Sequence, residues 1–352
     1  MVFLDRLLAH ERFVLSTHVR PDGDAVGAQL ALARFLEANG KTVTCLNSDP
    51  APDNLAWLPG LAGIQVFDGS LAQREAVASA GAFVVVDTNA RERLGKVATL
   101  LDTTAAETFL IDHHTNPEDW FAHRHVREEA SSTGELVYEL FEASGTPFDG
   151  PTAELLYTAI MTDTGSFRFS SVTPRVHRIV ADLLERGGIS VAPIHVAVYD
   201  NRPLGALRLL GRALGTIQVA CGGHLATMTL SRDMIKRADV HTDETDGFVN
   251  YALSVEGVRV AVLFLETAHG IKLSFRSKGD TFVHEWARHF GGGGHRNASG
   301  AYVRGRTLDQ VHADVLASAP RFLGLTNDTP TPTLASDDAD LLALLKQKFH
   351  AS

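Results

Sequence analysis

At 352 residues, with 45% apolar side chains and a net charge of −10, the chain is too long for one ordinary core and too apolar for global disorder, and it suits two domains. The negative balance argues against a generic duplex nucleic-acid binder, which needs a basic face, and no run approaches the ~18 apolar residues of a membrane helix. Two distant cysteines, Cys45 and Cys221, argue against a disulfide framework; Asp5 and Arg6 interrupt the apolar N-terminus, and the expectation is a cytoplasmic protein without a signal peptide.

Short runs rich in Val, Leu, Ile and Phe predict strands over Arg12–Thr17, Thr42–Leu46, Ala82–Val86 and Thr108–Ile111, with a fifth over Phe121–Val126. Between and after them, helical patterning covers Ala25–Asn39 (with Gly40 as its stop), Ser132–Ala143, Thr152–Met161 and Pro174–Arg186. This alternation predicts an α/β domain, residues 1–186, with a parallel sheet and helices on both faces. Gly187 and Gly188 open a connector over 187–203. The pattern then changes: strands over Leu225–Leu230, Val258–Phe264 and Ile271–Phe275, a helix around Thr281–Phe290 and a strand near Ala301–Val303 predict a smaller α+β domain, residues 204–325. Residues 326–352 read as a flexible acidic tail with a short amphipathic helix over Asp340–His350.

The chemistry is concentrated where the predicted strands end. Ligands of open α/β sheets bind beyond the carboxyl ends of the strands. The first strand runs into HVRPDGDAVG, which carries His18, Asp22 and Asp24; AFVVV ends on Asp87; TFLI ends on Asp112, His113 and His114. Asp163 closes the helix Thr152–Met161 just before Gly165. Singly, each has a plain structural explanation: Asp22 and Asp24 flank Gly23 before a helix and suit a turn and an N-cap, Asp87 suits a loop, and adjacent histidines are common on surfaces. Together, several aspartates converging on one edge repel unless a cation joins them. Carboxylates and imidazoles without a thiolate favour Mn or Mg over structural zinc, and two ions sharing one carboxylate would stand about 3.5–4 Å apart, as phosphoryl chemistry uses them.

The charge balance supports a second cluster. Acidic residues outnumber basic ones before residue 200 and the balance reverses between 200 and 325, so the second half suits an anion, though an uneven surface alone would look the same. GGGGHRNASG, residues 291–300, exposes backbone N–H groups and adds His295 and Arg296; upstream, KLSFRSKG supplies Arg276 and Lys278. Such a segment suits a phosphate, and its plainer explanation is a glycine-rich turn.

In order and combination these segments resemble the DHH phosphoesterase superfamily over residues 1 to about 325. HVRPDGDAVG, VVVDTNARERLG, LIDHHTN and MTDTGSFRFS are similar to its four motifs, and FRSKG with GGGGHRNASG to the DHH-associated C-terminal domain. The resemblance implies one metal held by His18, Asp22 and Asp87 and another held by Asp24, Asp87, His113 and Asp163, with Asp87 bridging. It implies His114 and Asp87 as catalytic residues, His114 beside the scissile phosphate as a donor or water-orienting group, and Arg276, Ser277, Gly293, Gly294, His295 and Arg296 as contacts to the far end of the substrate.

Within the superfamily the chain is similar to the NrnA-like oligoribonucleases. That implies two divalent ions, Mn preferred and Mg allowed, and hydrolysis of very short single-stranded RNA or dinucleotides to mononucleotides, with 3′-phosphoadenosine 5′-phosphate as a further substrate. A cyclic- or linear-dinucleotide phosphodiesterase is the alternative; a RecJ-like exonuclease or a nucleotide-binding regulator without turnover follows behind. No membrane partner is expected, and a homodimer is compatible with this reading.

Overall fold

The computed structural model describes residues 2–238 and 242–325; the tail expected over 326–352 lies outside the described residues. The described residues divide into two compact units, one up to Asn201 and the other from Arg202.

The first unit is built on six parallel strands, β1 (Arg12–Ser16), β2 (Thr42–Asn47), β3 (Ile64–Val66), β4 (Ala82–Val86), β5 (Glu107–Asp112) and β6 (His123–Val126), in the order β3-β2-β1-β4-β5-β6. Its helices are α1 (Val2–Leu8), α2 (Gly23–Ala38), α3 (Leu71–Ala78), α4 (Thr133–Ser144), α5 (Gly150–Asp163), α6 (Pro174–Gly187) and α7 (Val191–Tyr199). Side chains alternate across the sheet. Phe13, Leu15, Val84, Val86, Phe109 and Ile111 face a core closed by α2, α4 and α5. Val14, Phe83, Val85 and Leu110 face a second core with Val77 of α3 and Leu94, Val97 and Leu100 of a 3₁₀ stretch, Arg91–Asp102. Burial on both faces is why these strands are written as unbroken apolar runs. Strand order reverses between β1 and β4, so the crevice past their carboxyl ends is the switch point where such sheets bind ligands.

The stretch expected as a connector, 187–203, holds α7, whose Ile194 and Val198 are buried in the first core. Glycines at 187 and 188 end α6 in a left-handed cap but do not release the chain from that core.

The second unit comprises α8 (Leu204–Leu214), β7 (Gln218–Ala220), β8 (Leu225–Leu230), α9 (Arg232–Ala238), α10 (Phe248–Leu253), β9 (Val260–Glu266), β10 (Ile271–Ser277), α11 (His284–His289), β11 (Gly293–Gly294), β12 (Ala298–Val303) and α12 (Leu308–Leu323). Its sheet runs β11-β12-β10-β9-β8-β7 and is antiparallel apart from β8 beside β9. Trp286 and α12 pack on one face, α8 and α10 on the other. Among the described residues no helix is long and apolar enough to cross a membrane.

Candidate metal centre

Past the end of β1 the chain turns outward, and His18 is only 4% exposed. Its Nδ1 lies 2.9 Å from the carbonyl of Val19. The carbonyl can only accept, so Nδ1 carries its proton there; in the neutral ring Nε2 then holds the lone pair, and it lies 3.4 Å from Asp87 Oδ2. His113, past β5, repeats the device: Nδ1 lies 3.2 Å from the Ala130 carbonyl, and Nε2 lies 3.6 Å from Asp87 Oδ1, 3.7 Å from Asp24 Oδ2 and 3.3 Å from Asp163 Oδ2. Two imidazoles aimed lone pair first at carboxylates suit ligands sharing cations better than ion pairs.

Asp87 sits between the two rings, one oxygen toward each. It follows β4 directly at φ +60°, a left-handed conformation that Asp tolerates better than most residues and that clusters at functional sites. Asp22 does what the turn explanation foresaw: it N-caps α2, accepting the N–H groups of Asp24 and Ala25 at 3.1 Å. One of its ligand atoms also lies within 4.8 Å of those of His18 and Asp87. Asp24 is not a cap of its own helix. It is 1% exposed and accepts the N–H groups of Thr133 and Gly134 at 2.7 and 2.8 Å. Asp24, His113 and Asp163 form a second group of ligand atoms within 4.8 Å of one another, and Asp87, Asp112 and His114 a third.

Burial, then the charges of Asp87, Asp163 and Asp22, push the Asp24 carboxyl well above the usual range, against the pull of the Thr133 N–H. Asp163 is pushed up to about 6 by burial, with Asp87 and Asp22 adding to it and His113 opposing. For Asp87 burial works the same way, but the facing imidazoles, His18 foremost with His114 and His113, outweigh it and hold the carboxyl far below its ordinary value. In His114 burial disfavours the charge, yet Asp112, whose Oδ1 is 2.7 Å from Nδ1, raises it to about 9. Protons or cations are thus needed to keep these groups together, and the donor set of carboxylate oxygens and imidazole nitrogens suits divalent metal ions. Asp22→Ala removes a helix cap, and metal-free protein should lose about 1 kcal/mol of stability, read from thermal melts in chelator; an unchanged melt would remove the capping role.

The sequence alone did not single out Thr133, whose Oγ1 donates to Asp87 Oδ1 at 2.9 Å, or the part Asp112 plays behind His114. The signal for the first was S-x-x-E, a capping box spelling: Ser132 accepts the Glu135 N–H at 3.1 Å.

In the second unit, Arg276 and Ser277 end β10, where Arg276 pairs with Ala298, and the Arg276 guanidinium donates to the Phe275 carbonyl at 3.0 Å. The glycines divide into two kinds. At Gly292 an added Cβ would stand 2.0 Å from the Gly300 carbonyl, and at Gly294, φ +134°, 2.7 Å from that of Ala298; both are required by close approach of β12. Gly293 is exposed, with nothing within 4 Å of such a Cβ, and there a ligand can reach the backbone. His295 donates its N–H to Ala298, and Arg296 lies 5.7 Å above the Phe282 ring. Asn297, absent from the expected set, ties the segments together through Ser277 Oγ at 2.9 Å and the carbonyls of Gly279 and Thr281.

Residues 12–160 match the family described as DHH family, N-terminal domain, and residues 212–321 match the DHHA1 domain. A Thermus thermophilus protein named bifunctional oligoribonuclease and PAP phosphatase NrnA is 35% identical over 86% of this chain and 87% of its own. The chain belongs to the DHH family. To this DHH protein a Bacillus subtilis protein of the same name is 27% identical, over 87% of this chain and 94% of its own. A crystal structure of an exopolyphosphatase-related protein from Bacteroides fragilis shares 30% identity and a TM-score of 0.84, over 92% of this chain and 98% of that one. The DHH match ends at residue 160, short of Asp163, which the geometry nonetheless brings beside His113.

Proposed function

We propose that this DHH protein is a metal-dependent phosphoesterase that hydrolyses the phosphodiester bonds of very short oligoribonucleotides to give mononucleotides and removes a phosphate from 3′-phosphoadenosine 5′-phosphate. The convergence of His18, Asp22, Asp24, Asp87, His113 and Asp163 at the switch point carries the proposal; the substrate class follows the names of the Thermus and Bacillus relatives.

In this reading His18, Asp22 and Asp87 hold one divalent ion, and Asp24, Asp87, His113 and Asp163 hold a second. Bound there, divalent metals would polarise a phosphate oxygen, lower the pKa of a water and offset charge on the leaving oxygen. Asp87 keeps the two ligand groups together. Asp112 accepts the Nδ1–H of His114 and favours the charged ring, whose Nε2–H can then donate to a substrate oxygen. Mixed carboxylate and imidazole ligation favours Mn over Mg, so activity removed by chelator should return best with Mn; full recovery with Mg and none with Mn would contradict the assignment.

Arg276, Ser277, Gly293, Gly294, His295 and Arg296 are proposed to hold the end of the substrate away from the scissile phosphate. The net charge of −10 gives a long polyanion little extra attraction, and RNAs of about two to four nucleotides should turn over fastest. Arg276→Ala should lower kcat/KM on a dinucleotide by about 10- to 100-fold and barely touch a bis-aryl phosphate, which lacks the distant group. Equal losses on both would make Arg276 structural. A panel of dinucleotide, long RNA, cyclic dinucleotides and 3′-phosphoadenosine 5′-phosphate tests the substrate class: processive degradation of long strands, or turnover of cyclic dinucleotides alone, would replace it.

A further inference from the structure

The carboxylates of the centre share a neighbour that belongs to none of the strand ends. We infer that Thr133, at the first turn of α4, is a positioning residue for the metal centre: its hydroxyl fixes the carboxylate of Asp87 while its N–H, with that of Gly134, fixes Asp24. The inference rests on the metal-dependent reading above and adds a residue to it.

Thr133 is fully buried, and its Oγ1 donates to Asp87 Oδ1 at 2.9 Å. Its own N–H reaches Asp24 Oδ2 at 2.7 Å, and the Gly134 N–H reaches Asp24 Oδ1 at 2.8 Å. The first N–H groups of a helix have no partner within it. Here two of them are satisfied by a carboxylate from another helix, 109 and 110 residues away in sequence. The helix needs no hydroxyl from Thr133, because Ser132 is its N-cap. The threonine donor is therefore directed to Asp87 and has no capping task. With each oxygen of Asp24 and one oxygen of Asp87 held by a donor, the remaining lone pairs point in fixed directions, as ligating carboxylates generally require.

The turn is itself anchored. Glu135 accepts both the N–H and the hydroxyl of Ser131 at 2.8 Å and the Arg127 guanidinium at 2.7 Å, and the Arg127 N–H returns to the Asp112 carbonyl at 3.3 Å. On its other side an added Cβ at Gly134 would stand 2.5 Å from Ala159 of α5, the helix that ends on Asp163. The α4 turn thus touches the elements that deliver Asp24, Asp87, Asp112 and Asp163.

Thr133→Val keeps the shape and removes the donor, whereas Thr133→Ser keeps the donor. Each protein is stripped with chelator, its thermal melt recorded, and Mn titrated while the EPR signal of free Mn is followed. Thr133→Val is expected to weaken Mn binding by about 10- to 100-fold, with turnover recovering toward wild type at saturating Mn, while Thr133→Ser binds as wild type does. If the valine variant does not fold, Thr133→Ala against Thr133→Ser makes the same comparison. Wild-type Mn affinity in the valine variant, or equal weakening in valine and serine variants, would overturn the role of the hydroxyl. A wild-type chain that binds no Mn would overturn the metal reading beneath it as well, so the two failures are distinguishable.

Discussion

Asp87→Asn is expected to yield a folded protein whose hydrolysis has fallen by about three orders of magnitude or more, roughly 4 kcal/mol of transition-state stabilisation. Asp87 offers Oδ2 toward His18 and Oδ1 toward His113, so it is placed to serve both ligand groups. Asparagine loses the negative charge and one ligating oxygen. It leaves the rest undisturbed: its amide oxygen can still accept from Thr133 Oγ1, and asparagine tolerates the left-handed backbone, φ +60°, that Asp87 adopts. A circular-dichroism melt close to wild type together with kinetics on a dinucleotide in Mn tests this. Near-normal turnover by a folded variant would remove Asp87 from the centre.

Gly27→Val should act on the fold. An added Cβ at Gly27 would stand 2.6 Å from the Leu155 carbonyl and 3.1 Å from Ala159 Cβ, because α2 crosses α5 with almost no side chain between them. Backbone on the far side cannot swing aside as a flexible side chain would. Valine therefore forces the two helices apart, at about 3 kcal/mol, which for a domain of this size lowers the melting temperature by roughly 6–12 °C. Because α2 carries Asp24 and α5 ends on Asp163, metal affinity should fall with it. A melt within a degree of wild type would show that the helices can separate without cost.

Much of the first unit was legible because both faces of its sheet are covered. Phe83 and Val85 belong to one core, Val84 and Val86 to the other, so the strand reads AFVVV, without polar alternation to blur it. Edge and surface elements were less legible. β3 has three residues, none buried, and the 3₁₀ stretch Arg91–Asp102 is broken at Gly95, φ +58°, so neither carries a periodic signature. In α7, Ile194 and Val198 face the first core, but the glycines before it marked a break where a helix follows. The capping box Thr307-x-x-Gln310 of α12 was present in sequence and passed over.

For the centre, sequence order placed His18, Asp87, Asp112, His113 and His114 just past or at strand ends, and Asp22, Asp24 and Asp163 at helix ends; strand ends converge in a parallel sheet. The supports were hidden because they act across distance in sequence. Nothing near Asp24 indicates that residues 133 and 134 will hold it. Asp112 looked like one more acidic strand end until its 2.7 Å approach to His114 set it apart. The glycine run looked uniform, although Gly292 and Gly294 serve strand packing and Gly293 lies open.

Metal-stripped protein, titrated with Mn while the conversion of an RNA dinucleotide to mononucleotides is followed, puts the most direct question to the Asp and His cluster. The expected result is no hydrolysis in chelator and full hydrolysis once about two Mn ions per chain are bound. Hydrolysis that persists without metal, or a fully Mn-loaded protein that leaves the dinucleotide intact, would contradict it.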